Sequence, residues 1–289
     1  ATGNEPDLTA YYPLTDSGSG KANDLSVVDQ VPGTYSAVDT VPSTAPIGQG
    51  GNQVLSFDGK SSHLKVKGVD LRNKSFTVEF WALRAHPDAE NFVVSQGIES
   101  KYKGLHYGFR PTNVLTQAFW SNDLDTNITF EVPEWIHVSM VWDAPGKTQR
   151  IYLNGKQINE RGNVTKYQGT GDLYIGRVAW GGRCFEGQLS DLRIWELARS
   201  APEIKASYNQ RLTGTEPGLL GYWPMDAIVD GKVKNLVAEG PDAEAYSVKP
   251  LATNALPMVP GAPLVTAEYN TVGAHPDDPG TKRAMLRRF

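Results

Sequence analysis

Residues 76–84 read Phe76-Thr77-Val78-Glu79-Phe80-Trp81-Ala82-Leu83-Arg84. Phe76, Val78 and Phe80 alternate with Thr77, Glu79 and Trp81, the period of two that belongs to a half-buried strand. Working outward, Leu105-His106-Tyr107-Gly108-Phe109-Arg110 alternates in the same way, and Ile136, Val138, Met140 and Trp142 share one face of a third strand. Gln149-Arg150-Ile151-Tyr152-Leu153 runs into Asn154-Gly155 and then Lys156-Gln157-Ile158. Asn-Gly supplies the two positive-φ residues of a type I′ turn, so this stretch is a hairpin. Many strands at this spacing, with 29 glycines and 19 prolines to turn between them, predict a sandwich or barrel. In Gly187-Gln188-Leu189-Ser190-Asp191-Leu192-Arg193-Ile194-Trp195, Leu192 and Ile194 share a face that Leu189 does not. A bulge near Ser190 reconciles them.

One helix signal stands out. Ser200 with Glu203 forms a capping box, Pro202 suits the first turn, and Ile204 and Tyr208 lie four apart on one face. A short helix leaning on the sandwich follows. The chain also repeats itself: Asp7-Leu8-Thr9-Ala10-Tyr11-Tyr12-Pro13-Leu14 returns as Gly218-Leu219-Leu220-Gly221-Tyr222-Trp223-Pro224-Met225 at a constant offset of 211. The match continues ungapped through Lys21/Lys232, Asp24/Asn235 and Tyr35-Ser36/Tyr246-Ser247. It places the end of one structural unit near 217 and the opening segment of another after it. Residues 249–289 are rich in proline and glycine and end in Lys282, Arg283, Arg287 and Arg288. They read as an extended tail or linker.

The 289 residues are 39% apolar, enough for a core, and carry a formal charge of −4. That balance argues against a nucleic-acid binder. No run of about 18 apolar residues is present to span a bilayer. One cysteine, Cys184, excludes an internal disulfide. The first residue is Ala1 rather than Met, as in a processed secreted chain or an excised piece. Three sequons begin at Asn73, Asn127 and Asn163.

Several of these segments together resemble a known family. They are Leu8–Leu14 followed by Asn23-Asp24-Leu25-Ser26; Leu55-Ser56-Phe57-Asp58-Gly59; Glu134-Trp135-Ile136-His137-Val138; Tyr152-Leu153-Asn154-Gly155; and Phe185–Trp195 followed by Ala198-Arg199-Ser200. In this order they resemble the laminin-G-like, pentraxin-like group of the concanavalin A-like lectin/glucanase superfamily. The resemblance covers roughly residues 5–248. It implies an all-β, two-sheet antiparallel jelly-roll sandwich over 1–248, with one short capping helix, the second copy of the opening motif at 218–248 and the tail after it. It also implies carbohydrate, protein or lipid recognition, with calcium in many members.

Enzyme signals are weak. The Glu-x-Asp-x-x-Glu strand of related sandwich glycosidases, which sets two carboxylates on one face, is absent. Glu79 has no carboxylate neighbour on its strand, and no nucleophile elbow, phosphate loop or His-Glu-x-x-His appears. Calcium takes oxygen ligands from turns, which points to Asp16, Asp24, Asp58 and Asp191. Asp191 falls on the family's paired-aspartate position, where the first carboxylate is replaced by Ser190. Solvated turn carboxylates explain the same residues equally well. A lectin needs aromatic faces beside polar groups. Trp120-Ser121-Asn122-Asp123, with Asp125 close by, and Trp180-Gly181-Gly182-Arg183 meet that need, with Tyr107 and Tyr102 behind them. A loop aromatic folded back onto the sandwich is the competing reading. The expected role is non-catalytic, lectin-like binding of a glycan or glycoprotein, extracellular or at the cell surface, in a chain with possible further domains. The alternatives are a protein-interaction or adhesion module and an accessory domain of a larger enzyme.

Overall fold

The computed structural model describes residues 53–130 and 134–252, with the backbone of two short strands before them. The elements are β1 (Lys21–Ala22), β2 (Gly33–Thr34), β3 (Gln53–Asp58), β4 (His63–Val66), β5 (Phe76–Arg84), β6 (Asn91–Gly97), β7 (Gly104–Phe109), β8 (Val114–Ala118) and β9 (Asp123–Thr129). They continue as β10 (Trp135–Asp143), β11 (Thr148–Leu153), β12 (Lys156–Arg161), β13 (Leu173–Ile175), β14 (Glu186–Trp195) and α1 (Ala201–Ser207). The last are β15 (Leu219–Trp223), β16 (Lys232–Val233), β17 (Ala243–Tyr246) and β18 (Lys249–Ala252).

Two eight-stranded antiparallel sheets make the sandwich. The first runs β12-β11-β10-β5-β14-β3-β18, with β15 also on β14; the second runs β16-β17-β4-β13-β6-β7-β8-β9. Phe76, Val78 and Phe80 of β5 and Val138, Met140 and Trp142 of β10 face Leu105, Tyr107 and Phe109 of β7 across one continuous core. The bulge falls where the sequence places it: the β14–β5 register shifts between Ser190 and Arg193, and Asp191 sits at φ 57°. The Asn154-Gly155 hairpin is also present, with both residues at positive φ.

Two expectations change. β5 is buried on both faces, not one. Its outer face lies under the segment after β14. Thr77 Oγ1 donates to the Leu197 carbonyl at 2.8 Å, and Trp81 Nε1 donates to the Tyr208 carbonyl at 3.2 Å. Helix α1 makes this cover, with Ile204 and Tyr208 buried as their spacing requires. Glu203 accepts hydrogen bonds from both the N–H and the hydroxyl of Ser200 at its start.

The repeat is the second change. The copy at 218–248 begins no new unit; β15 joins the first sheet, and β16 and β17 join the second. Trp223 and Met225 are buried in the common core, so the sandwich is incomplete without this segment. β18 pairs with β3 and carries the first sheet past 248, the boundary expected from the sequence. The first copy makes a two-strand pairing of its own, β1 with β2, at the positions where the second makes β16 with β17. Residues 253–289 lie outside the described residues. No described helix is long and apolar enough to cross a membrane.

Candidate functional site

With α1 over the first sheet, the outer face of the second sheet is the face left for a ligand. Tyr107 and Phe109 of β7 point into the core, so His106 points outward. In register beside it stand Ser95 of β6, Ala118 of β8 and Asp123 of β9. Two loops fold over this row.

One loop is the β8–β9 turn. Phe119 N–H donates to the Asn122 carbonyl at 3.2 Å, closing a two-residue turn with Trp120 at φ 59° and Ser121 at φ 76°. The chain makes the same kind of turn with Asn154-Gly155, which tolerate such angles. An indole residue there is an outlier, and holding it costs roughly 1–3 kcal/mol. The surroundings impose it. Tyr102 N–H donates to the Trp120 carbonyl at 2.9 Å, Asn122 Nδ2 donates to the Thr165 carbonyl at 2.8 Å, and Gln149 Nε2 donates to the Asn122 carbonyl at 3.1 Å.

The other loop joins β13 to β14 and turns at Gly181 and Gly182, both at positive φ. It lays Trp180 over β7. A Cβ on Gly104 would stand 3.1 Å from the Trp180 ring, so the glycine makes room for it. The two tryptophans meet edge to face, with centroids 5.7 Å apart and planes at 89°. His106 closes the cluster at 5.7 Å from Trp120 and 5.6 Å from Trp180. Both tryptophan rings remain partly exposed.

Burial pushes the His106 imidazole down to about 4, with Arg110 and Arg183 adding to the effect against the pull of the Gly104 carbonyl and Asp123. It is therefore neutral at pH 7. Its Nδ1 lies 2.8 Å from the Gly104 carbonyl, which only accepts, so Nδ1 carries the proton and Nε2 is an acceptor. Arg110 brackets the far edge, donating to Asp123 at 2.9 Å and Asp125 at 3.4 Å. Trp180 Nε1 and Asp123 Oδ1 have no partner among the described residues.

The structure thus joins Trp120, Asp123 and Trp180 in one cluster. Arg183 lies at its border, paired with Glu90 at 2.7 Å. Two candidates are corrected. Tyr107 is fully buried, stacked on Phe119 in the core, where no outside ligand reaches it. Asn122 is buried as the anchor of the turn, its amide committed to Thr165. Tyr102 is half-buried under Lys101, whose ammonium lies 5.0 Å from its ring. His106 and Arg110 were missed, although the alternation around Tyr107 already set His106 on the opposite face. A separate pocket of about 340 Å³, lined by Trp142, Lys147 and Lys166 among others, shares no residue with this cluster.

The metal candidates fare differently. Asp58 Oδ1 accepts the backbone N–H groups of Lys60, Ser61 and Ser62, and Oδ2 accepts the Ser61 hydroxyl. Burial alone would raise its carboxyl, but these bonds hold it well below the usual range. Asp191 is buried and pairs with Arg193. Both carboxylates are committed to protein donors and do not fit a calcium site; Asp16 and Asp24 lie outside the described residues. Among the described residues no three His, Cys, Asp or Glu side chains gather as a metal-ligand group.

Nor is Glu79 isolated. It is fully buried between Arg199 at 2.7 Å and Arg193 at 3.4 Å, with His137 Nε2 at 3.6 Å. Arg193 also donates to the Ser207 carbonyl and Arg199 to the Glu203 carbonyl. This charge cluster therefore clamps α1 to the first sheet. Closed off by the helix, it offers a substrate no access.

Among solved structures, a candidate carbohydrate-binding protein from Bacteroides ovatus aligns with a TM-score of 0.57 and 20% identity, over 70% of this chain and 60% of its own. A pentraxin of Limulus polyphemus aligns at 0.49 and 17%, over 77% of this chain and all of its own. A domain of an extracellular arabinanase from Geobacillus stearothermophilus aligns at 0.43 and 16%, over 68% of this chain and 84% of its own. No curated protein sequence matches. Residues 58–205, just over half of the chain, match the family described as the concanavalin A-like lectin/glucanases superfamily. The two antiparallel sheets agree with that match, and the chain belongs to the concanavalin A-like lectin/glucanase superfamily.

Proposed function

We propose that the outer face of the second sheet binds carbohydrate without cleaving it, as a recognition module of a secreted or surface protein. The observation that carries this reading is Trp120, held in a strained turn so that its ring meets Trp180 over His106. Sugar C–H faces stack on such rings. A carboxylate at the edge, Asp125, is exposed and keeps acceptor capacity for sugar hydroxyls beside its bond to Arg110. The Bacteroides ovatus structure, described as a candidate carbohydrate-binding protein, lends support. Hydrolysis needs a free pair of carboxylates. Here Asp123 and Asp125 share an ion pair with Arg110, and Glu79 is sealed under α1. Calcium enters this reading only through Asp16 and Asp24.

A glycan array run in calcium and again in chelator tests the proposal. Binding that Trp120→Ala and Trp180→Ala both weaken supports it. Binding unchanged in both variants removes the site, and binding lost in chelator moves it toward Asp16 and Asp24. If no glycan binds in either buffer, the protein-interaction reading replaces it.

A further inference from the structure

The aromatic surface does not end at Trp180. On the same outer face, His63 of β4 stacks on Tyr246 of β17, with centroids 4.6 Å apart and planes 5° from parallel. Tyr174 of β13 lies 5.9 Å from His63 on the other side. From Tyr246 to Trp120 the surface crosses β17, β4, β13, β6, β7 and β8, five strand spacings of ~4.8 Å or roughly 24 Å. That length suits several sugar rings end to end.

Arg177 stands between the two aromatic groups. Its guanidinium carbon is 5.6 Å from the Tyr174 ring, and Nη2 lies 3.7 Å from where a Cβ on Gly181 would be, beside Trp180. The neighbouring cations have carboxylate partners: Lys65 with Asp172 at 2.9 Å, Lys67 with Glu244 at 2.8 Å, Arg183 with Glu90 at 2.7 Å and Arg110 with Asp123 at 2.9 Å. Arg177 has none among the described residues. Among the described residues its side chain makes one hydrogen bond, from Nε to the Val178 carbonyl at 3.3 Å, which orients the guanidinium and leaves both Nη groups to a ligand.

We infer that the ligand of this face is an anionic oligosaccharide, and that Arg177 receives a sugar carboxylate or sulfate while Trp120, Trp180 and Tyr174 carry the rings on either side. The inference rests on the carbohydrate reading above and deepens it. The field at this spot agrees: burial first, and then the charges of Arg177 and Lys65, hold the His63 imidazole below its ordinary value against the Ser61 carbonyl.

The experiment is calorimetry of the full chain with three oligosaccharide sets: neutral, uronate-containing and sulfated. One anionic set is expected to bind at least tenfold more tightly than the neutral set, and to weaken as salt rises. Which set wins identifies the anion. Arg177→Gln is expected to erase the preference, by about tenfold or more, without changing melting temperature. Arg177→Lys restores part of it. Equal binding of neutral and anionic sets, or a preference that survives Arg177→Gln, overturns the inference and leaves the carbohydrate reading standing. Binding of none of the sets overturns both.

Discussion

Trp120 and Trp180 rest edge to face, 5.7 Å apart, although one belongs to the β8–β9 turn and the other to the loop before β14. Each ring holds the other over His106, so they form one platform rather than two sites. Single alanine substitutions are therefore expected to weaken glycan binding by about tenfold or more each, and the double substitution by less than the product. Titration of the three variants checks this. Independent, multiplicative losses would mean separate sites.

The strained turn makes a second prediction. Ser121→Gly relieves one positive-φ side chain and leaves the Trp120 ring in place. It should stabilise the chain by about 0.5–1 kcal/mol with binding unchanged. Replacing both residues by Asn-Gly should stabilise it further and lower affinity. If chemical denaturation finds the double variant less stable than wild type, the Trp120 ring contributes more to folding than its backbone loses to strain.

A third prediction concerns the clamp under α1. Glu79→Gln leaves Arg193 and Arg199 buried without their shared carboxylate. The expected loss is about 3–5 kcal/mol, as when one partner of a buried pair is removed. Asp191→Ala exposes Arg193 to the same deficit. Its drop in melting temperature should be equal in calcium and in chelator. A drop seen only in calcium would make Asp191 a metal ligand after all.

The histidines predict a pH dependence. Burial holds His106 near 4 and His137 well below its ordinary value, where Arg193 and Arg199 add their repulsion. Both are neutral in the folded chain, while the unfolded chain protonates them near 6.5. The unfolded state thus binds more protons as pH falls below 6.5, and folding stability declines. The stabilisation is complete above that value. The His106 contribution, roughly 3 kcal/mol, is lost progressively down to about pH 4. Denaturation curves at pH 7 and pH 5 should show His106→Gln and His137→Gln each flattening the decline. An unaltered slope in both variants would place the proton uptake elsewhere.

Much of the fold was legible because its signals are local. Alternation along β5, β7 and β10 follows from the two-residue pleat, and the Asn154-Gly155 turn from backbone sterics. The start of α1 follows from Ser200 and Glu203, and the bulge at Ser190 from a break in phase. Trp120 and Trp180 were visible as loop aromatics beside polar residues.

Sequence by itself determined the all-β class, strands β5, β7, β10 and β14, the hairpin, the capped helix and the two tryptophans, because each depends on residues a few positions apart. Tertiary structure alone decided which faces are open. Helix α1 covers β5 and turns Glu79 from a strand-surface carboxylate into the centre of a buried charge cluster. The facing sheet takes Tyr107 into the core and leaves His106 outside. The bulge delivers Asp191 to Arg193 instead of to solvent. Only the crossing of distant strands brings Trp120, Trp180 and Arg177 onto one face. Long-range packing decides these outcomes, since desolvation and ion pairing depend on neighbours in space, which no local pattern names.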